Sequence, residues 1–568
     1  MIKQYLINSI KNFMNSQIDK NNLTEDISEI ISQLSKALGE DLIKDNCNIT
    51  GVSPPLPPEE FAGDFSDMTD YDHLPKSSDI TTKELSNELT SINYSRYSKN
   101  NFINLTPYLG FDSTNLPNGR QNNYACSFCD FEDYIYVGTG RNIIYTALKK
   151  DIKDISLPLD YTPSIIDMGA EIWRYKKDGY LPWHKVYKSP NNTNKNTADI
   201  IGISSIVKFN SFDLKTSLYA AAYSISGVKI LKSTNGVDWF DIPSKLTNCT
   251  SSGNMIVYKN KLYISVIVEG EDLPSLLYSS EDPEIYGWTL ETPDSSEDGK
   301  NPNGTIYSMT SFNNHLYIGT SGKDGFMLWR TNEDLPKVND WKLVIDKGAG
   351  DAANSTAISL VEFKEHLYVG TAYITTDFID NIIPKGAEII RLDKKDNWNI
   401  IVGGPVLEET QPETGTRNTP LSKLNNGFFN PYNLYMWQMK VYNNKLFVGT
   451  YDSSSNVEPI YELLIKNKEY LSTLLGTDIL EILILFVKLQ ITVLSTLKDQ
   501  LGFDFYVSKN GTNYDLIDSN GFNHSKNYGI CNIFISDDNH MYIGTANPFS
   551  GCSVYKFDYS YCSSHNKH

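Results

Sequence analysis

Arg141 is the first residue whose surroundings suggest chemistry. It stands two positions after Tyr136-Val137-Gly138-Thr139, where a strand leaves its sheet. A guanidinium at such an exit could hold a carboxylate or phosphate through two parallel hydrogen bonds. Tyr451 and Asp452 follow the equivalent phrase Phe447-Val448-Gly449-Thr450, and either could pass a proton to or from a substrate held there. Tyr373 and Asn547 follow two more copies, at Tyr368–Thr371 and Tyr542–Thr545. Ahead of the strands that pair with these exits come Asn123, Tyr124, Asn354, Asn433, Tyr435, Asn527 and Tyr528. The expected catalytic set is Arg141, Asp452 and Tyr451. The expected ligand-binding set is Asn123, Tyr124, Tyr373, Tyr435, Asn527, Tyr528 and Asn547. The same residue types also cap loops and close ion pairs, so a structural role is the standing alternative for each.

Other candidates point toward scaffold. Glu171 and Glu388 each occupy a Gly-Ala-Glu-Ile motif and could pair as acid and base, yet identical placement in separate repeats is what a structural role predicts. Cys126-x-x-Cys129 falls on a strand, where a separation of three sends the side chains to opposite faces. No second cysteine pair follows at zinc spacing, so packed thiols are expected and no metal set is assigned. Three of the histidines, His315, His366 and His540, precede strands at the far rim. His184 lies on an outer strand, and only His524 is near the exits, which argues against a four-histidine iron centre of the carotenoid-cleaving kind.

These positions take meaning from the elements that carry them. The phrase Tyr/Phe-Val/Ile-Gly-Thr occurs five times, with Tyr317–Thr320 as the remaining copy, at spacings that indicate a β-propeller. In the clearest copy, Ile306–Phe312, His315–Thr320, Phe326–Thr331 and Trp341–Ile345 read as four successive strands. Two more repeats keep the hairpin without Gly-Thr, at Leu218–Ala220 and Leu262–Ile264, so the expected fold is an all-β, seven-bladed propeller over 122–568. The last repeat lacks an evident fourth strand, and the segment before Asn122 is expected to help close the ring. Long insertions follow the Gly-Thr exits at 141–168, 372–385 and 451–502, which decorates one face and points to a covered binding site there.

Within that architecture, Ser233–Trp239 (Ser-Thr-Asn-Gly-Val-Asp-Trp) and Ser508–Tyr514 (Ser-Lys-Asn-Gly-Thr-Asn-Tyr) resemble the Asp-box turn of sialidase-like propellers, with Asn where Asp is usual. The resemblance covers two seven-residue turns and implies blade geometry. Sialidase activity itself resembles a three-arginine clamp, and only Arg141 is placed at the mouth. Arg174, Arg330 and Arg391 share one third-strand position, which is a blade pattern.

Residues 1–52 read as two amphipathic helices, and 53–121 as a Pro-rich, acidic linker or wrapping arm. The insertion 457–502 reads as a helical hairpin around Gly476, spanning Glu458–Leu475 and Asp478–Leu501. Its segment Ile479–Leu494 is apolar nearly all round, so it must be buried on several sides. It could pack on the N-terminal helices within the molecule, cap the opening as a lid over an apolar or amphiphilic ligand, pair with another subunit, or touch a membrane surface.

A formal net charge of −19 argues against a nucleic-acid partner. With seven cysteines, no apolar N-terminal run and no 18-residue uncharged apolar stretch, a cytoplasmic location is expected. The leading reading is a single ligand pocket under the helical lid. Its chemistry would be of hydrolase or lyase/isomerase type on a small, partly apolar molecule, metal-independent or with a structural cation, and its cofactor is unknown. The alternatives are a non-catalytic binding module, lectin-like or protein-binding, and an assembly or membrane-surface protein that uses 479–494.

Overall fold

The computed structural model describes residues 2–40 except 19–22, then 42, 93–94 and 101–558, with breaks at 152–155, 159–165, 180–181, 193–196, 213, 225–226, 245, 247–250, 268–274, 293–299, 376 and 498–499. The Pro-rich stretch 53–58 and most of the acidic arm lie outside the described residues.

The molecule is mostly β, built of antiparallel meanders. The first runs through Asn122–Phe131, Tyr134–Arg141, Glu171–Lys176 and His184–Lys188. Five more follow the same order, beginning at Ile200–Asn210, Ser251–Tyr258, Ile306–Phe312, Thr356–Phe363 and Asn433–Tyr442. A further one begins at Gly529–Ile535. The first strand of each meander contacts the first strand of the next, and that of the last returns to Asn122–Phe131, a propeller-like arrangement.

The repeated phrase has a packing origin. A Cβ at Gly138 would sit 2.6 Å from Ile203 of the following unit, and one at Gly449 would sit 2.6 Å from Ile530. Glycine is therefore required where the next unit's first strand presses on the second strand. The following Thr139 and Thr450 turn inward, and their hydroxyls accept from the backbone N–H of Glu171 and Asp504 at 3.0 and 2.9 Å. The phrase tyrosine packs outward onto a turn. Tyr136 lies against Gly236, and Tyr368 against Gly511, both glycines at positive φ inside the two Asp-box-like turns.

Hydroxyls stitch neighbouring first strands. Ser127 donates to Ile203 O at 2.8 Å, Ser308 to Ala357 O and Ser359 to Met436 O at 2.7 Å, and the Cys531 thiol to Ala125 O at 3.1 Å across the closing seam. The last unit contributes three strands of its own. Phe102–Asn104 pairs antiparallel with Val554–Phe557 and supplies the fourth. Phe102 stacks on Phe522 with ring centroids 5.0 Å apart, which anchors this closing strand.

A separate apolar core lies over the insertion-bearing face. The N-terminal helices Ile2–Gln17 and Glu25–Leu38 pack on the insertion helix Thr477–Ser495. That helix buries Leu480, Leu483, Phe486, Val487, Leu489 and Val493, and it exposes Glu481 and Lys488. Phe13 meets Phe486 edge-on at 5.4 Å. The first insertion helix differs from expectation. It is two, Val457–Lys466 and Lys468–Leu475, broken at Asn467. The Asn467 side chain donates to Leu463 O and to Ser156 O, and it accepts from Ser156 N–H, so it serves a neighbouring loop at the break. One long connection, 403–432, runs between the fifth and sixth units instead of following a Gly-Thr exit. Among the described residues, no helix is long and apolar enough to cross a membrane.

Candidate functional site

Arg141 is fully buried. Its Nε donates to Asp167 O, one terminal nitrogen to Asn118 O and Asn122 Oδ1, and the other to Asn118 Oδ1, all within 3.4 Å. Carboxylates of Asp167 and Glu171 lie 3.4 and 3.6 Å away. Glu171, itself fully buried, also receives Asn122 Nδ2, Trp173 Nε1 and Lys185 Nζ. Burial alone would raise its carboxyl, but Arg141, Asn122 and Lys185 outweigh that and hold it below the usual carboxylate range. Every donor of the guanidinium is spent on protein, which favours the structural alternative for this residue.

The same corner recurs. An asparagine before or at the first strand donates its Nδ2 to a glycine carbonyl and to the acid that starts the third strand. Asn122 reaches Gly110 O and Glu171, Asn354 reaches Gly348 O and Glu388, and Asn433 reaches Gly427 O and Asp504. Glu388 is matched by Arg417, whose two terminal nitrogens donate to its oxygens at 2.6 and 2.9 Å. Glu171 and Glu388 thus stand in separate, equivalent corners, and the structure does not bring them together as a pair.

Asp452 is nearly fully buried, paired across the strands with Asn433 as Arg141 is with Asn122. Its carboxylate accepts from Ser454 N–H at 2.8 Å and from Asn430 Nδ2 at 2.7 Å. Asn430 also reaches Asp504 at 3.4 Å. Burial raises the Asp452 carboxyl, and the neighbouring Asp504 raises it further; burial also raises Asp504.

The three expected asparagines hold backbone. Asn123 donates to Arg120 O, Asn547 accepts from the Phe549 and Ser550 N–H groups and donates to Asn527 Oδ1, and Asn527 donates to Gly521 O. All three are buried. Tyr373 is buried beneath the N-terminal helix, its hydroxyl 3.4 Å from that of Tyr5.

The remaining tyrosines converge. Tyr124 stacks on Tyr528, and their hydroxyls share a hydrogen bond. Tyr451 meets Tyr528 edge-on at 4.7 Å and lies tilted against Tyr435 at 4.6 Å. Trp437, absent from the expected set, touches all four, including Tyr124 at 6.1 Å. Tyr124 and Trp437 belong to units separated by a whole unit, so they meet across the central opening. Asn456, the residue just before the insertion helix Val457–Lys466, donates to the Tyr451 hydroxyl at 2.8 Å. Tyr435, Trp437 and Tyr451 are half-buried, leaving aromatic surface in reach of solvent. Burial raises Tyr124, Tyr435 and Tyr528, so these phenols stay protonated at neutral pH. A period of two from Tyr435 was the signal that could have found Trp437.

The four described cysteines are free, with Cys129 buried and Cys126 half-buried, and no group of three His, Cys, Asp or Glu side chains fit to hold a metal is formed among the described residues. A small cavity of about 70 Å³ lies between the N-terminal helix and the loops at 383–386, 405–407 and 425–431, with Ser9, Phe13, Lys385 and Phe429 on its walls.

No protein-family model matches the chain, and no curated protein matches its sequence. Among solved structures, it is similar to the extracellular domain of a B. thetaiotaomicron hybrid two component system, at 14% identity and TM-score 0.40 over 79% of this chain and 39% of that one. It thus spans well under two thirds of that structure's length. It is also similar to a polysaccharide lyase, at 8% identity and TM-score 0.40 over 77% of this chain and 90% of that one. A Bacillus subtilis arabinanase is similar at 18% identity and TM-score 0.25, over 44% of this chain and 89% of that one.

Proposed function

We propose that this chain is a seven-bladed β-propeller that binds a small, partly apolar molecule at the mouth of its central opening, next to the helical cap. One observation carries the reading: Tyr124, Tyr435, Trp437, Tyr451 and Tyr528, from three successive units, converge at the centre, with Tyr435, Trp437 and Tyr451 half-buried. Aromatic faces supply contact area at little entropic cost, and protonated phenols supply oriented hydrogen bonds. The cap adds to it, because Asn456 at the head of the insertion holds the Tyr451 hydroxyl. The hydrogen-bonded turns at 233–239 and 508–514 favour a sialidase-like blade. In them Asn235 and Asn510 each accept two backbone N–H groups.

Binding is favoured over catalysis here. Arg141 and Asp452 are engaged with protein and almost wholly buried, so a hydrolase or lyase/isomerase would have to use the tyrosine hydroxyls for proton transfer. The apolar insertion helix is covered by the N-terminal helices together with Val457–Lys466 and Lys468–Leu475, which supports intramolecular packing over a membrane or assembly role. A partner other than nucleic acid is part of the proposal, on the net charge of −19, and so is a cytoplasmic setting, on the polar residues that interrupt Met1–Ser16 and the odd cysteine count.

The test is titration of the purified chain with 8-anilino-1-naphthalenesulfonate, an amphiphilic fluorescent probe, alongside mass spectrometry of material released on denaturation. Saturable one-site binding is expected, weakened at least tenfold in Trp437→Ala and Tyr451→Ala. Equal affinity in wild type and both variants would refute the mouth as the site.

A further inference from the structure

The recurrent corner differs among units in one respect, and that difference points to a bound ion. In the first unit the position paired across from the asparagine is Arg141, whose guanidinium donates to Asn122 Oδ1 at 2.7 Å and faces the Glu171 carboxylate. In the fifth unit, Arg417 reaches in from the 403–432 connection to neutralise Glu388. The seventh has Ser553 where the acid would be, its N–H donating to the Thr545 hydroxyl as those of Glu171 and Asp504 do to their threonines. Among the described residues of these four units, the sixth alone has an acid and no cation. The Arg141 position is Asp452, so the charge is reversed, and among the described residues neither Asp452 nor Asp504 forms an ion pair.

An unpartnered oxygen marks the same place. Asn433 is fully buried, and its Oδ1, the counterpart of the Asn122 atom that receives Arg141, has no hydrogen-bond partner. Its Nδ2 is fixed by Gly427 O and Asp504, so the amide cannot turn Oδ1 to another use. Ser454 is also buried, its N–H binds Asp452 Oδ1 and its hydroxyl lies beside the same carboxylate. Neutral donors serve both carboxylates, with Asn430 Nδ2 reaching each, Asn433 and Tyr506 reaching Asp504, and the Ser454 N–H reaching Asp452. None of them carries charge, so two buried carboxylates beside an acceptor with nothing to accept are penalised unless a positive charge lies among them. A proton shared by the two aspartates would remove part of the repulsion, but it would leave Asn433 Oδ1 without a donor. A metal ion answers both.

We propose that the sixth-unit corner binds one calcium ion through Asp452, Asp504 and Asn433 Oδ1, with Ser454 Oγ as a further oxygen. Every candidate donor is a hard oxygen, and two carboxylates match a divalent charge. The absence of sulfur and imidazole from this set speaks against a transition metal. Magnesium demands regular octahedral geometry and keeps its waters, whereas an irregular, dry cluster of side-chain oxygens suits calcium. The ion does for the sixth unit what Arg141 does for the first. It joins the strand exit to the asparagine corner just where the insertion departs, and so fixes Tyr451, the preceding residue, at the mouth. This inference does not depend on the ligand-binding reading.

The experiment uses the full chain, stripped with EDTA and then dialysed against calcium or magnesium. We expect one equivalent of calcium by elemental analysis and a melting temperature about 5 °C higher with calcium at a hundredfold excess over Kd. Terbium should bind at the same place, with emission sensitised by tyrosine, because the Tyr506 hydroxyl donates to Asp504 at 2.9 Å. Asp452→Asn and Asp504→Asn should lose the terbium signal and the calcium shift. Asp452→Asn, freed of the like-charge contact, should melt above the metal-free wild type. No calcium retained and no shift in folded wild type would overturn the proposal, and that readout needs no variant. So would a magnesium response equal to calcium's, or terbium emission undiminished in both variants.

Discussion

At Arg141, each guanidinium nitrogen meets acceptors supplied by protein, and Glu171 depends on that cation to stay ionised in a dry corner. Arg141→Ala should cost about 3–5 kcal/mol at neutral pH, because it leaves a buried carboxylate short of its main counter-charge. The sign with pH follows from Glu171. Its folded pKa is depressed, so it contributes stability above the unfolded value that is lost as pH falls through the folded pKa. In the variant, protonation relieves the buried carboxylate, so the deficit relative to wild type should shrink between pH 7 and pH 4. Urea denaturation at the two pH values measures it, and a deficit that grows on acidification would exclude this role. At this scale sequence spacing located Arg141, Asp452 and the tyrosines but not their partners. Arg417 comes from a long connection with no pattern of its own, and nothing in a linear reading announces that it meets Glu388. Trp437 was legible by alternation from Tyr435, yet a strand register shift between Tyr435 and Gln438 obscures which neighbours share a face.

Among the elements, the cap and the β units differ in what they rest on. The cap is a helical cluster held by Leu480, Phe486, Leu489 and their partners Phe13, Ile30 and Leu34, with its own apolar core. Phe486→Ala should cost about 3–5 kcal/mol, felt first within that core. Hydrogen exchange would show faster exchange in Ile2–Gln17, Glu25–Leu38 and Thr477–Ser495, with the strands of the first four units unchanged. Uniform acceleration throughout the chain would mean that cap and strands form one cooperative unit. The helix Thr477–Ser495 was readable because charge is nearly absent from it, and being apolar all round demanded several covering surfaces. The N-terminal helices were one of several covers the sequence offered, and they share the task with Val457–Lys466 and Lys468–Leu475, because apolar faces carry no address that singles out one partner. The break at Asn467 was also hidden, because it depends on Ser156, some 300 residues distant in sequence.

For the molecule as a whole, closure is the governing feature. The Tyr-x-Gly-Thr phrase exposed the repeat, because each glycine is set by contact with the next unit, and a constraint repeated in space is repeated in sequence. The closing strand Phe102–Asn104 has no such signature, being three residues in a polar arm, and only the missing fourth strand hinted at it. Phe102 packs on Phe505, Phe522 and Phe557. Phe102→Ala should therefore destabilise the whole β array by about 3 kcal/mol in a single transition. Far-UV circular dichroism in urea would register this as one shifted midpoint, whereas a separate early phase for the last unit alone would contradict closure as the coupling element.

The most direct test of ligand binding at the mouth is fluorine NMR of the chain labelled with 5-fluorotryptophan. The Trp437 line is assigned by its loss in Trp437→Phe, and spectra are recorded with and without 8-anilino-1-naphthalenesulfonate. Movement of the Trp437 line in proportion to saturation is the predicted result. An unmoved Trp437 line while another tryptophan responds would contradict it.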